Sequence, residues 1–167
     1  MKLTSDWLQN PDTIAVMKAL QAKNNKVFFV GGCVRNGLLG VSTADIDIST
    51  DARPEQIIAL AKIAGLKFIP TGIDHGTVTV VVNSNSFEVT CFRKDIETDG
   101  RHAVVAFADD IYDDAKRRDF TMNAIYALPD GTIVDPLNGL IDLKKRHVRF
   151  IENATNRITE DLSLIHI

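Results

Sequence analysis

Asp45 and Asp47, in the run Asp45-Ile46-Asp47-Ile48, are the residues best placed by type and spacing to do chemistry. Strand alternation puts both carboxylates on one face and both isoleucines on the other. Acids two positions apart on a strand, roughly 7 Å along it, suit two divalent ions at the spacing of in-line phosphoryl displacement. The same pair on an exposed edge strand would simply be solvated, so the surroundings decide. Upstream, the apolar run Val27–Val30 ends at Gly31-Gly32, where a strand hands over to a helix. Backbone N–H groups and the positive helix end there can hold a triphosphate. Arg35, one turn later, offers a bidentate phosphate contact. The chain has neither GxGxxG nor GxxxxGK[ST], which argues against a dinucleotide fold or a P-loop.

These residues need a scaffold. Asn10-Pro11 reads as a cap and first helical position, followed by Ile14, Met17 and Leu20 at helical spacing. Val27–Val30 is expected as a buried strand, Cys33–Leu39 as a short helix ended by Gly40, and Asp45–Ser49 as the acid-bearing strand. Pro54 opens an amphipathic helix with Ile57, Ile58, Leu60 and Ala61 inward, closed by Gly65. Thr77–Val82 and Phe87–Arg93 form a hairpin about Asn83-Ser84-Asn85-Ser86, which points Glu88 to a polar sheet face. From Lys94 to Asp110 the polar composition suggests a loop, then a helix at Asp113–Arg118 and strands at Asn123–Leu128 and Thr132–Val134. Helices alternating with mixed strands predict an α/β (α+β) fold with a small mixed sheet.

At 167 residues, 45% hydrophobic and 25% charged, the chain suits one domain with a real core. Net charge is −3, not the balance of a nucleic-acid-coating surface. Lys116-Arg117-Arg118 and Lys144-Lys145-Arg146 with Arg149 are local basic clusters, the second read as a solvated face. Cys33 and Cys91 lack CxxC or Cys/His spacing, which suits a reducing compartment and excludes a zinc site. No signal-peptide pattern or membrane-length apolar run occurs, so a soluble cytoplasmic protein is expected, with no membrane and no inferable protein partner. The four histidines are scattered without a nucleophile-base constellation; only His75, in Asp74-His75-Gly76-Thr77, falls where it can approach the acids.

Three ordered stretches then carry a family resemblance. Val30-Gly31-Gly32-Cys33-Val34-Arg35-Asn36-Gly37-Leu38-Leu39-Gly40 with Asp45-Ile46-Asp47 resembles the signature of the bacterial class II tRNA nucleotidyltransferase and poly(A) polymerase family. Arg117-Arg118-Asp119-Phe120-Thr121-Met122-Asn123-Ala124 resembles its RRDFTxNA block, and Asp95-Ile96-Glu97-Thr98-Asp99-Gly100-Arg101 its flexible loop. The resemblance implies a polymerase-β-like nucleotidyltransferase head over residues 1–136 and the beginning of a helical, RNA-binding neck over 137–167, the rest of the neck and later domains lying beyond. It implies Asp45 and Asp47 as Mg²⁺ ligands and Glu88 as the third catalytic carboxylate, and oxygen donors without Cys or His favour Mg²⁺ over zinc. Gly31, Gly32 and Arg35 would hold phosphates, and Arg117, Arg118, Asp119 and Asn123 the ribose and phosphates. The alternative for the basic block is cations at a helix C-terminus. Glu160-Asp161 would read the base.

The implied activity is addition of CMP, CMP and AMP from CTP and ATP to the 3′ end of tRNA, which the Asp95–Arg101 loop favours because family members that add only C tend to lack it; a poly(A) polymerase of the same family is the alternative. A non-catalytic nucleotide-binding remnant is a third reading. Two departures stand out. Asn36 occupies a position where the family usually has Asp, a change that keeps hydrogen-bonding capacity, and Leu164 the position of the Arg expected after Glu160-Asp161, so base choice is expected to be largely lost.

Overall fold

Each strand of the main sheet carries its own signature of burial. The structure, a computed structural model, describes residues 2–99 and 102–166. Helix α1 (Pro11–Gln21) starts where the Asn10 side chain accepts the Asp12 N–H at 2.8 Å, and buries Val16, Met17 and Leu20. All of β1 (Val27–Val30) is buried, followed by α2 (Gly32–Leu39), which Gly40 ends at φ 70°. After β2 (Asp47–Thr50), α3 (Pro54–Ile63) buries Ile57, Leu60 and Ala61. Strands β3 (Lys67–Gly72), β4 (Thr77–Val82) and β5 (Asn85–Cys91) form a meander. Next come β6 (Arg93–Asp99), β7 (His102–Phe107), α4 (Ile111–Lys116), β8 (Tyr126–Ala127), β9 (Ile133–Val134), α5 (Gly139–Lys145) and α6 (Ala154–Glu160).

Seven strands make one sheet in the order β3-β4-β5-β2-β1-β8-β9, antiparallel throughout except for the parallel pair β2 and β5. This is the small mixed sheet expected from the alternation of elements. Period-two alternation sorts its faces. Val27, Phe29, Ile48, Phe87, Val89 and Cys91 belong to one core cluster, with Val16, Met17 and Leu20 of α1 and Ile57 of α3. Phe28, Val30, Tyr126 and Phe92 belong to a second, with Ala115 of α4.

Three local expectations differ. Most of the expected loop Lys94–Asp110 is strand: β6 and β7 pair antiparallel from Arg93↔Phe107 to Asp99↔His102, because backbone pairing satisfies a strand whatever the polarity of its side chains. The acid-bearing strand begins only at Asp47, so Asp45 lies in the segment leading into it. The expected strand Asn123–Leu128 shrinks to Tyr126–Ala127, because Thr121–Asn123 winds into a 3-10 turn. That turn is fixed from outside: Gly139 lies so close that a Cβ on it would sit 2.1 Å from the Thr121 carbonyl oxygen. Beside it the Thr121 hydroxyl donates to Asp142 at 2.6 Å.

Candidate active site

Register across the sheet places the acids. Tyr126, Val30, Asp47, Glu88 and Thr79 are successive partners across β8, β1, β2, β5 and β4, so their side chains share one face. Asp47 and Glu88 are neighbours in the parallel pair. With Asp45, Ile46, Thr79 and Ser86 they line a concavity of about 280 Å³. Asp45 and Glu88 are exposed and Asp47 half-buried. Burial, then the charge of Glu88, then that of Asp45, push the Asp47 carboxyl above its ordinary value, against the pull of Arg118. Among the described residues, no three His, Cys, Asp or Glu side chains converge tightly enough to hold an ion alone. A small hard cation that keeps water and takes phosphate oxygens needs only one or two carboxylates, and this acid set fits that demand.

The glycine pair divides its work. Gly31 sits at φ 74°, ψ −136°, a conformation that side chains resist, and immediately precedes α2. A Cβ there would lie 3.6 Å from Oδ2 of Asp47 and 3.8 Å from Nη1 of Arg118. Backbone, acid and guanidinium therefore meet around one point. Gly32 has no such constraint; its nearest neighbour to a Cβ would be Nη2 of Arg35, at 3.8 Å. Arg35 donates through Nη1 to Oδ1 of Asn123 at 2.7 Å and through Nε to Oδ1 of Asn36 at 3.1 Å. Asn123 in turn donates to both Asp119 oxygens, at 3.0 and 3.1 Å. So Asn36, where the family usually has Asp, supplies an acceptor that steadies Arg35.

Asp114 is the residue that sequence reasoning missed. Fully buried, it accepts Nε of Arg117 at 2.9 Å, Nη2 of Arg118 at 3.2 Å, the Tyr126 hydroxyl at 2.9 Å and the Ser49 hydroxyl at 3.1 Å. Burial alone would raise its carboxyl; the guanidiniums of Arg118 and Arg117 outweigh this and hold it below the ordinary value. The available signal was spacing: Asp114 stands three and four positions before the two arginines, on one helical face. Both basic residues are thus helix-end cations, as the alternative reading had it, but only Arg118 is held against the Gly31–Asp47 corner. Arg117 lines a separate recess of about 230 Å³ with Lys94, Asp113, Lys116, Glu152 and Arg157.

The remaining expected residues lie elsewhere or beyond description. Glu160 accepts Nη1 of Arg157 at 2.9 Å, and Asp161 accepts the Ser163 N–H at 2.9 Å. Leu164 is buried. Asp95 and Asp99 lie within β6 by backbone, their side chains outside the described structure, and Gly100 and Arg101 lie outside the described residues. His75 is exposed, and its carbonyl accepts Nη1 of Arg93 at 2.7 Å. Lys144, Lys145 and Arg146 are exposed as expected, whereas Arg149 pairs with Asp142 at 2.7 Å. Both thiols are free and buried. Among the described residues no helix is long and apolar enough to cross a membrane.

Comparison with known proteins points one way. The model of the Poly A polymerase head domain matches residues 27–149. Mouse (Mus musculus) mitochondrial CCA tRNA nucleotidyltransferase 1 is 42% identical over 165 residues, covering 96% of this chain and 38% of its own length. The CCA-adding enzyme of Latilactobacillus sakei is 37% identical over 163 residues, covering 96% and 40%. Among solved structures, the Bacillus stearothermophilus CCA-adding enzyme in complex with CTP superposes with a TM-score of 0.83 at 36% identity, over 97% of this chain and 38% of that one. A tRNA nucleotidyltransferase complexed with a primer tRNA and an incoming ATP analog gives 0.65 at 27% identity, over 82% and 39%. The chain thus spans about two fifths of the length of these relatives.

Proposed function

Because the chain belongs to the Poly A polymerase head-domain family, we propose that it is the catalytic head of an enzyme adding CMP, CMP and AMP to the 3′ end of tRNA from CTP and ATP. One observation carries the reading: Asp47 stands in register with Glu88 on an open polar face whose corner is formed by Gly31 and Arg118. That corner suits a triphosphate set beside carboxylates. It is not needed by the fold, since a half-buried carboxylate beside two others destabilises.

The chain's own groups divide the work. Asp45 and Asp47 would hold Mg²⁺, which when bound lowers the pKa of the attacking 3′-hydroxyl and neutralises charge on the triphosphate. Glu88 shapes the same acidic face from β5. The first N–H groups of α2, left without helical partners, and the Arg118 guanidinium hold phosphate oxygens where charge develops as pyrophosphate departs. Arg35, braced by Asn123 and Asn36, orients the nucleotide from the other side of Gly32, and Asp119 fixes Asn123. By resemblance, Glu160 and Asp161 at the end of α6 would face the base, and Asp95, Asp99, Gly100 and Arg101 would be the counterpart of the family's flexible loop. Two free thiols suit a reducing compartment, the cytoplasm.

The test offers labelled CTP and ATP with Mg²⁺ to tRNA lacking its CCA end and, separately, ATP to a generic RNA primer. Incorporation of CMP and then AMP on the tRNA supports the reading. Extension of the generic primer by AMP alone makes the chain a poly(A) polymerase. Nucleotide binding with no transfer to either makes it a binding module.

A further inference from the structure

We propose that the buried Ser49, Asp114 and Tyr126 side chains form a positioning network that aims Nη1 of Arg118 at the triphosphate, an inference that rests on the reading above. Arg118 has three donor nitrogens. Its Nε donates to the Tyr126 hydroxyl at 3.2 Å and its Nη2 to Asp114 at 3.2 Å. The Tyr126 ring lies under the guanidinium, 5.5 Å from centroid to Cζ. With two nitrogens and one planar face occupied, the fork has a single orientation, and it leaves Nη1 beside Gly31 and Asp47.

The network is tied to the sheet that carries the acids. Tyr126 lies in the same cross-strand row as Asp47, with Val30 between them. Ser49 follows Asp47 by two positions on β2, hence on the same face, and donates to Oδ2 of Asp114 at 3.1 Å. The Tyr126 hydroxyl donates to that same oxygen at 2.9 Å while accepting from Arg118. All three side chains are sealed from water, at 0% exposure, so none touches substrate and each acts through Arg118. Such a connected buried network fixes one arrangement, and misplacement of a contacting group by about 1 Å is enough to cost ten- to a hundred-fold.

Tyr126→Phe keeps the ring and the packing and removes the one hydroxyl that binds both partners; Ser49→Ala removes the other hydroxyl donor to Asp114. Calorimetric titration in Mg²⁺ with CTP, CMP and inorganic tripolyphosphate reads the effect, with thermal melting alongside. For Tyr126→Phe, affinity for CTP and tripolyphosphate falls about tenfold and that for CMP stays within twofold. Ser49→Ala gives the same pattern at about threefold. In an Arg118→Lys background, which lacks the Nε donor, Tyr126→Phe has no further effect. Equal losses for CTP and CMP, or losses that persist undiminished beside Arg118→Lys, reduce the network to ordinary core structure and overturn the proposal, as does a parent-like affinity in both variants. Failure of the functional reading looks different: a chain with Tyr126-dependent tripolyphosphate binding that transfers nothing to tRNA lacking CCA keeps the network and loses the function.

Discussion

Gly31→Ala separates backbone strain from ligand space at one position. The native φ of 74° with ψ −136° belongs to a region that side chains occupy at a cost of about 1–3 kcal/mol. For a chain of this size each kcal/mol moves Tm by about 2–4 °C, so a fall of about 2–12 °C is expected. No clash adds to this, since the new methyl would lie 3.6 Å from Asp47 Oδ2 and 3.8 Å from Arg118 Nη1, ordinary contact distances. The same gap is where a phosphate oxygen bonded to Nη1 at about 2.8 Å would sit. Methyl and oxygen exclude each other, and affinity for CTP with Mg²⁺ is expected to fall at least tenfold, about 1.4 kcal/mol. Gly32→Ala is the control: its backbone carries no positive φ, and a Cβ there approaches only the flexible end of Arg35. It should melt at or slightly above the parent. Melting curves with and without CTP, followed by calorimetry, measure both. Parent-like stability and affinity in Gly31→Ala, or a larger loss of either in Gly32→Ala, would refute the assignment of the cradle to Gly31.

Asp47→Asn is expected to abolish labelled CMP incorporation while raising Tm by about 1–4 °C, with Glu88→Gln milder in activity. The sign follows from a raised carboxyl: the folded state prefers it neutral, so its ionisation costs stability as pH climbs from the ordinary carboxylate value through the folded one, and Asn removes that cost at neutral pH. Asp114 has the opposite sign. Its lowered carboxyl stabilises the fold above the ordinary carboxylate value and ceases to do so as pH falls through the folded value, so Asp114→Asn should flatten the acid limb of a stability-versus-pH curve. Asp114→Ala, which strands two guanidiniums, should cost about 3–5 kcal/mol by denaturant melts. Gly139→Ala forces a methyl against the Thr121 carbonyl and should cost about 1–3 kcal/mol; an unchanged melting midpoint would contradict the packing of α5 on the 3-10 turn.

Local rules reached the elements that depend on local pattern. Asn10-Pro11, Gly40 and the β-branched run Thr77–Val82 coincide with the observed start of α1, end of α2 and bounds of β4. Period two also put Glu88 on the face opposite Phe87 and Val89, both of which are buried. What escaped was set by distant partners. Nothing within Lys67–Gly72 marks it as β3, since its neighbour β4 supplies the ladder. The acids of Asp95–Asp99 resembled a loop until β7 paired with them. Asp114 reads as one more surface acid; only the closure of α4 over Ser49 and Tyr126 makes it buried and shared by two arginines.

The single parallel pairing, β2 with β5, determines when the acidic face comes into being. Antiparallel neighbours can zip from a turn, but parallel strands need an intervening crossover, here the whole of α3, β3 and β4. Asp47 and Glu88 therefore become neighbours only after that crossover has closed, among the slower events of a folding chain because its entropy must be lost before the contact forms. Two like charges then meet as β5 docks beside β2. A partly folded chain offers a cation Asp45 and Asp47 without Glu88 beside them, so an ion that binds the complete acid set more tightly favours the finished sheet by mass action.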